Sequence, residues 1–249
     1  MLKSERHQEI INILKSEGYA SVKYMSEMLF ASPSSIRRDL CVLDKQRLVK
    51  RSYGGAELIL SNASVVPFNE RTYQNTDAKK AIAQKAAQLV KNGSIIFLDQ
   101  SSTSFFLAAK LMKKTALTVV TNNIEILNLL SRTEITVYSA GGMLSRANRN
   151  CLIGTDTCDT FKNIFADTVF FSAKALSDDG VVSDCTRDEV FVRNAMLENA
   201  DKKVFLCDST KVGKHSGYKQ CTLEDVAVLV CENECCKKFG EKFKNLDIL

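Results

Sequence analysis

Apolar positions recur along this chain at two different spacings. Between Glu5 and Lys15, Ile10, Ile11 and Leu14 keep helical spacing, and Gly18 is expected to stop that helix. Ser21 then precedes Val22, Met25, Met28 and Leu29, the stripe of a short second helix. Ser32 and Pro33 open a third. The serine hydroxyl accepts an orphan backbone N–H, and the proline's missing N–H costs nothing in the first turn. Ile36, Leu40 and Leu43 form the apolar face of this helix, opposite Ser34, Ser35, Arg37 and Arg38. Only Phe30 and Ala31 separate it from the second helix, which predicts the brief turn of a helix-turn-helix with the first helix packed behind. Beyond Gln46, the run Arg47 to Tyr53 followed by Gly54-Gly55 predicts a tight hairpin, or wing.

Further along, the pattern alternates. Asp77 to Leu89 reads as a helix with Ile82, Ala86 and Leu89 inward, and Asn92-Gly93 turns into the strand Ser94 to Leu98. Helices follow at Ser104–Met112, Asn123–Leu130 and Arg187–Ala200. Strands are expected at Leu117–Thr121, Ile135–Ser139, Val169–Ala173, Lys203–Leu206 and, last, Val226–Val230. Short apolar strands alternating with helices predict an α/β fold whose sheet is covered on both faces. The expected organisation is a small winged helix-turn-helix domain at 1–60, a linker at 61–76 carrying Pro67, and an α/β sensor and assembly domain at 77–249.

Composition narrows the possibilities. A chain of 249 residues that is 45% hydrophobic is long and apolar enough for two domains. Of its net charge of +5, residues 1–60 supply +3, from ten Lys and Arg against seven Asp and Glu. From Pro33 to Tyr53 six basic residues face only Asp39 and Asp44. Charges interrupt every apolar run near the N-terminus and no run reaches transmembrane length, so the expectation is a cytoplasmic protein without membrane partners. Nine cysteines, irregularly spread, read as buried thiols. Cys231, Cys235 and Cys236 lack a second paired set, and His7 and His215 have no ligand spacing with them, so neither a metal nor a cofactor is expected. Cys231 is read as ending a strand, and the other two as starting a polar helix.

The basic helix and wing suit a phosphate backbone and a groove, which makes operator DNA the expected partner. Ser34, Ser35 and Arg37 are placed near base edges, and Arg38, Lys50 and Arg51 chiefly on phosphates. Ser32 and Tyr53 complete that candidate set. In α/β sheets ligands gather beyond the C-terminal ends of the strands. Four such loops carry small polar residues: Asp99 to Ser104, Thr121-Asn122-Asn123, Gly141-Gly142 and Asp208 to Lys211. The hydroxyls of Ser101, Ser102 and Thr103 at a helix start suit a phosphate. Lys211 adds positive charge, and Asp99 or Asp208 can accept sugar hydroxyls.

The spacing from Arg6 through Ile10, Leu14 and Gly18, then Ser32, Ser35-Ile36-Arg37-Arg38-Asp39-Leu40, Leu43, Leu48, Arg51 and Gly54-Gly55-Ala56, resembles the DeoR family of bacterial transcriptional regulators. Later, Asp99 with Ser102-Thr103, Thr121-Asn122, Gly141-Gly142, Gly154, Gly180, Glu189 and Asp208-Ser209-Thr210-Lys211 are similar to that family's effector domain, whose fold is similar to ribose-5-phosphate isomerase. The resemblance implies a homo-oligomeric repressor of a sugar or nucleoside operon, controlled by a phosphorylated sugar. By its place in the motif Asp39 is expected to be structural and to hold an arginine. Several positions depart from the pattern: Ser101, Ser172 and Ala175 stand at family glycines, Lys174 at an acid and Arg193 at a lysine. Lys174 shifts the local charge toward anion binding and joins the candidate effector residues. Two alternatives follow: a DNA-binding regulator whose second domain has lost its effector, and a sugar-phosphate isomerase using Asp99, Lys174 and Asp208.

Overall fold

A computed structural model describes residues 3–17, 19–45, 48–58 and 66–249, apart from the side chains of residues 3, 4, 15, 16, 45, 50 and 58. Gly18, Arg47, positions 59–60 and positions 61–65 of the expected linker lie outside the described residues. The chain divides into two compact units, 1–64 and 65–249.

In the first unit, helices α1 (Lys3–Glu17), α2 (Val22–Met28) and α3 (Pro33–Lys45) pack with a small sheet. Its strands are β1 (Tyr19–Ser21), β2 (Val49–Ser52) and β3 (Gly55–Leu58), in the order β1-β3-β2. The core takes most of the predicted set, Ile10, Leu14, Val22, Met25, Ile36, Leu40 and Leu43, joined by Val49 and Ala56, with Ile11 and Leu29 partly buried against it; Met28, expected on the second stripe, is exposed in the last turn of α2. Strand β1 was not legible in three residues of sequence. Its backbone pairs with β3 and closes the wing against the helices. Both wing glycines are demanded by geometry: Gly54 has φ +83°, and a Cβ on Gly55 would sit 2.4 Å from the Ala20 carbonyl oxygen.

The second unit begins inside the segment read as linker. Helix α4 (Phe68–Tyr73) buries Phe68 edge-on against Phe105, with ring centroids 5.7 Å apart. Then follow α5 (Thr76–Ala86), β4 (Ile95–Leu98), α6 (Ser102–Leu111), β5 (Thr118–Thr121), α7 (Ile124–Leu130) and β6 (Thr136–Ser139). After them come β7 (Met143–Leu144), β8 (Leu152–Ile153), α8 (Thr155–Lys162), β9 (Ala166–Phe171), β10 (Ala175–Leu176), β11 (Val181–Asp184) and α9 (Arg187–Glu198). The unit closes with β12 (Ala200–Leu206), β13 (Tyr218–Thr222), β14 (Val228–Val230), α10 (Lys237–Lys242) and β15 (Asp247–Ile248).

Seven strands form one parallel sheet in the order β15-β14-β12-β9-β4-β5-β6. Alternate residues enter opposite cores, as the period of a strand requires. Ile96, Leu98, Phe170, Val204 and Leu206 pack with α5, α6 and α7, whereas Phe97, Val169, Phe171 and Phe205 pack with α8, α9 and α10. The expected last strand is not last, because β15 adds an edge. Short strands β10, β11 and β13 form a separate antiparallel sheet that sequence reading missed, since two to five residues carry too little periodicity.

Strand order fixes where a ligand can sit. From β4 the chain proceeds outward through β5 and β6, and from β9 it proceeds the other way through β12, β14 and β15. The order reverses between β4 and β9, and the loops beyond these strands diverge to leave a crevice.

Candidate functional site

Helix α3 presents the polar face that its sequence predicts. Ser32 caps it, its Oγ accepting the Ser35 amide at 3.2 Å and lying 2.9 Å from Ser34 Oγ. Ser34, Arg37 and Arg38 are exposed, while Ile36 and Leu40 beneath them are buried. Tyr53 is fully exposed at the wing tip, and the exposed Arg51 directs Nη1 to Cys41 Sγ at 3.2 Å. Lys50 lies opposite Glu57 in the β2–β3 register; its side chain lies outside the described ones. Asp39 points the other way. Buried, it takes Arg6 Nε at 2.6 Å and stands 3.1 Å from His7 Nε2. Burial pushes its carboxyl up, but the hydrogen bonds and charges of Arg6 and His7 outweigh that and hold it below the ordinary carboxylate range. Asp39 thus ties α1 to α3 and leaves its neighbouring arginines to the solvent side.

In the second unit a cavity of about 190 Å³ opens at the crevice between β4 and β9. Ser101, Ser102 and Thr103 line it from the start of α6, Ser172 and Lys174 from beyond β9, and Asp208, Thr210 and Lys211 from beyond β12. Arg71 and Lys79 contribute from α4 and α5, and Glu189 and Arg193 from α9. Ser101 caps α6 by accepting the Ser104 amide at 3.0 Å, which leaves the first-turn amides of Ser102 and Thr103 without an intrahelical acceptor. Lys211 Nζ reaches Ser172 Oγ at 2.7 Å and Asp208 Oδ2 at 3.4 Å. Asn75, at φ +52°, donates to Asp208 Oδ1 at 3.3 Å and Thr210 Oγ1 at 3.0 Å, so the corner between α4 and α5 is fastened to the same loop.

The electrostatics are strongly positive on one side. Lys79 is buried and donates to the carbonyls of Arg71 and Gln74. Burial, with Lys211 and Arg71 nearby, lowers its pKa to about 8. Asp208 is pushed up by burial, yet Lys211, the Thr210 hydroxyl and Lys79 together hold it below its ordinary value. Among the described residues, buried Nε and Nη2 of Arg71, Oε1 of Gln100 and Oγ1 of Thr103 have no hydrogen-bond partner. All three residues line the cavity. Buried polar atoms are normally paired, so two guanidinium donors, a hydroxyl and an acceptor stand open at the cavity.

Residues 74–233 match the DeoR C terminal sensor domain, and residues 6–62 match the DeoR-like helix-turn-helix domain. The chain belongs to the DeoR family. It is 33% identical to the HTH-type transcriptional regulator GolR of Listeria innocua, over 98% of this chain and 96% of that protein. It is 32% identical to the glycerol-3-phosphate regulon repressor of Escherichia coli K12, over 87% of this chain and 85% of the relative. Among solved structures, ribose 5-phosphate isomerase A from Methanocaldococcus jannaschii superimposes with a TM-score of 0.42 at 19% identity, covering 56% of this chain and 55% of the other. No described helix is long and apolar enough to cross a membrane.

This DeoR-family sensor unit gathers only part of the candidate set. Ser101, Ser102, Thr103, Lys174, Asp208 and Lys211 line the cavity; Asp99, Thr121, Asn122, Gly141 and Gly142 do not. Asp99 is fully buried and fully used: Oδ1 accepts the Ser101 amide at 3.1 Å and Ser104 Oγ at 2.6 Å, and Oδ2 accepts the Ser172 amide at 3.1 Å and Arg193 Nε at 3.2 Å. It shapes the loop and offers no lone pair to a ligand. Thr121 Oγ1 donates to the Leu98 carbonyl at 2.7 Å, and Asn122 Nδ2 donates to the Leu152 carbonyl at 3.0 Å. Gly142 serves packing, since a Cβ there would fall 2.0 Å from Thr157 Oγ1. These residues end or follow β5 and β6, on the far side of β4 from β9, which is why they miss the crevice.

The departures from the DeoR pattern are accommodated. Ser101 has φ −76°, an ordinary extended conformation, so a serine there is unstrained. Ser172 gains a role as the anchor of Lys211. Ala175 is buried in β10 opposite Ser183. Arg193 spans two carboxylates, with Nη2 3.0 Å from Asp184 Oδ2 and Nη1 donating to Gln220 Oε1 at 2.7 Å. Burial disfavours its charge, but Asp184, Asp99 and Glu189 outweigh that and raise its pKa. Sequence reading overlooked Arg71, Asn75 and Lys79 as site residues. For Lys79 the signal was present: it shares the stripe of Ile82, Ala83 and Ala86, where a lysine needs a buried purpose.

Proposed function

We propose that the protein is a homo-oligomeric, DNA-binding transcriptional repressor whose second unit binds a small phosphorylated sugar in the β4–β9 crevice. The observation that carries this reading is the convergence of Arg71, Lys79, Lys174 and Lys211 with the start of α6 around unpartnered buried donors. A phosphate would take the amides of Ser102 and Thr103 together with Arg71, and Asp208 or Glu189 would receive sugar hydroxyls. At the operator, Ser34, Ser35 and Arg37 would read bases, while Arg38, Lys50 and Arg51 hold phosphates. Paired modules on an oligomer would read repeated half-sites and gain affinity through effective concentration.

An isomerase reading is disfavoured by the carboxylates. Asp99 spends both oxygens on four protein hydrogen bonds, and Asp208 is held ionised and tied to Lys211, Thr210 and Asn75, which weakens it as a proton acceptor. The reading of a lost effector site rested on Ser101, Ser172 and Ala175; Ser101 has an ordinary extended backbone, the Ser172 hydroxyl receives Lys211, and Ala175 is buried in β10 and does not line the cavity. Calorimetry of the full chain against a panel of sugar phosphates and their unphosphorylated counterparts tests the proposal. A phosphorylated ligand binding below millimolar concentration, weakened by Arg71→Ala, is the expected result. Failure of every phosphorylated ligand would overturn it.

A further inference from the structure

Three thiols outside both sites meet at the end of β14. Cys231 directly follows that strand, and a single 3-10 turn, Glu234–Cys236, folds the chain back over it. Asn233 starts the turn, its Oδ1 accepting the Cys235 amide at 2.9 Å. The result brings Cys231 Sγ to 3.4 Å from Cys235 Sγ, and Cys235 Sγ to 3.7 Å from Cys236 Sγ. All three sulfurs lie within 4.8 Å of one another. Cys207, directly after the neighbouring β12, sets its thiol against that of Cys236. Cys231 and Cys236 are buried, and Cys235 is half-buried, so the cluster has one open side.

We propose that Cys231, Cys235 and Cys236 form a site for a soft metal ion of the zinc class. An ion bound by thiolates at about 2.3 Å in tetrahedral geometry sets adjacent sulfurs roughly 3.8 Å apart, close to the spacings already present. A disulfide needs its sulfurs at about 2.05 Å and uses only two of them, leaving the third in contact without a partner. A fourth ligand is at hand in Glu232, whose Oε2 stands 3.3 Å from Cys231 Sγ, or in solvent through the open side. The sequence argued against a metal because it showed no second cysteine pair. A turn that stacks adjacent cysteines onto a third removes the need for one.

The test uses the full chain, reduced and freed of metal with a chelator. Titration with Co2+ should produce thiolate-to-cobalt charge-transfer absorption and the intense visible bands of a tetrahedral site, saturating at one ion per chain and abolished by one equivalent of Zn2+. Cys235→Ser, at a half-exposed position, should reduce zinc affinity by more than the roughly 10–100-fold that loss of an outer-shell partner costs, while Cys41→Ser leaves it unchanged. A measurement on the unaltered protein guards against misfolding of the variant: zinc should slow alkylation of Cys235 and not of Cys41 or Cys185, read by peptide mass spectrometry. Cobalt spectra without a charge-transfer band, zinc affinity indifferent to Cys235→Ser, or equal alkylation of Cys235 with and without zinc would each overturn the assignment.

Discussion

Arg193 Nε lies 3.2 Å from Asp99 Oδ2, and neither side chain exposes more than 1% of its surface. The pair joins α9 to the loop that opens α6, so the serines lining the cavity are positioned from behind by a carboxylate that does not line it. Removing one partner leaves a buried charge with less compensation, which typically costs about 3–5 kcal/mol. Asp99→Ala is therefore expected to lower the unfolding free energy of the second unit, read from urea denaturation, by an amount in that range. Asp99→Asn, which keeps the shape, should cost less. Equal stability of Asp99→Ala and the unaltered protein would contradict a structural role.

Lys79 gives the site a pH dependence. Its folded pKa of about 8 lies below the ordinary 10.5, chiefly through burial, so it is charged below about 8 and neutral above. Affinity for a phosphorylated ligand should fall as pH rises through about 8, and Lys79→Met should flatten that profile. Arg71 and Lys211 face the same space, so binding should weaken without vanishing. The stability consequence has the opposite sense. Between about 8 and 10.5 the unfolded chain holds more protons at this position, so stability should rise with pH across that window.

The Arg6–Asp39–His7 cluster predicts how the first unit fails. Hydrogen bonds to charged groups contribute about 1.5–3 kcal/mol, and Asp39→Ala should weaken the first unit by that order and Arg6→Ala nearly as much. Because the folded carboxyl is held low, its contribution is present above the ordinary carboxylate value and is lost as pH falls through the folded one. Thermal melts of the full chain, followed by operator binding on the same samples, read both effects. DNA affinity should drop in Asp39→Ala while sugar-phosphate affinity stays.

On DNA, specificity and affinity should separate. Arg37→Ala is expected to cost about 1–3 kcal/mol at the matched operator and to relax one position, as loss of a bidentate base contact does. Lys50→Ala should weaken all sequences alike and reduce the salt slope by about one. Binding assays on operator and scrambled DNA at several salt concentrations distinguish the two; equal loss on both DNAs for Arg37→Ala would remove it from base reading.

The first unit was readable almost residue by residue because its signals are local. A cap, an apolar stripe and a glycine pair all act within a few positions. The second unit was readable in kind, since its strands announce themselves by length and apolarity, but strand order depends on contacts far apart in sequence. Thr121-Asn122 and Ser101-Ser102 look alike as strand-ending polar loops, and only the neighbour of β4 decides which faces the crevice. Asp99 reads as a ligand carboxylate until Arg193, 94 positions later, is seen to occupy it. Arg71 and Asn75 fall in a stretch whose proline and turn formers suggest a linker, although α4 packs against α6 through Phe68 and Phe105.

Under the proposed function, ligand binding in the crevice alters operator affinity. Coupling requires the ligand to bind the DNA-competent and incompetent states differently, and about 1.4 kcal/mol of difference changes DNA affinity tenfold. The direct measurement is an operator titration of the full chain with and without a saturating sugar phosphate identified by calorimetry. A shift of roughly tenfold or more is expected, abolished by Arg71→Ala at the same ligand concentration. An operator curve that does not move while the sugar phosphate is bound would contradict it.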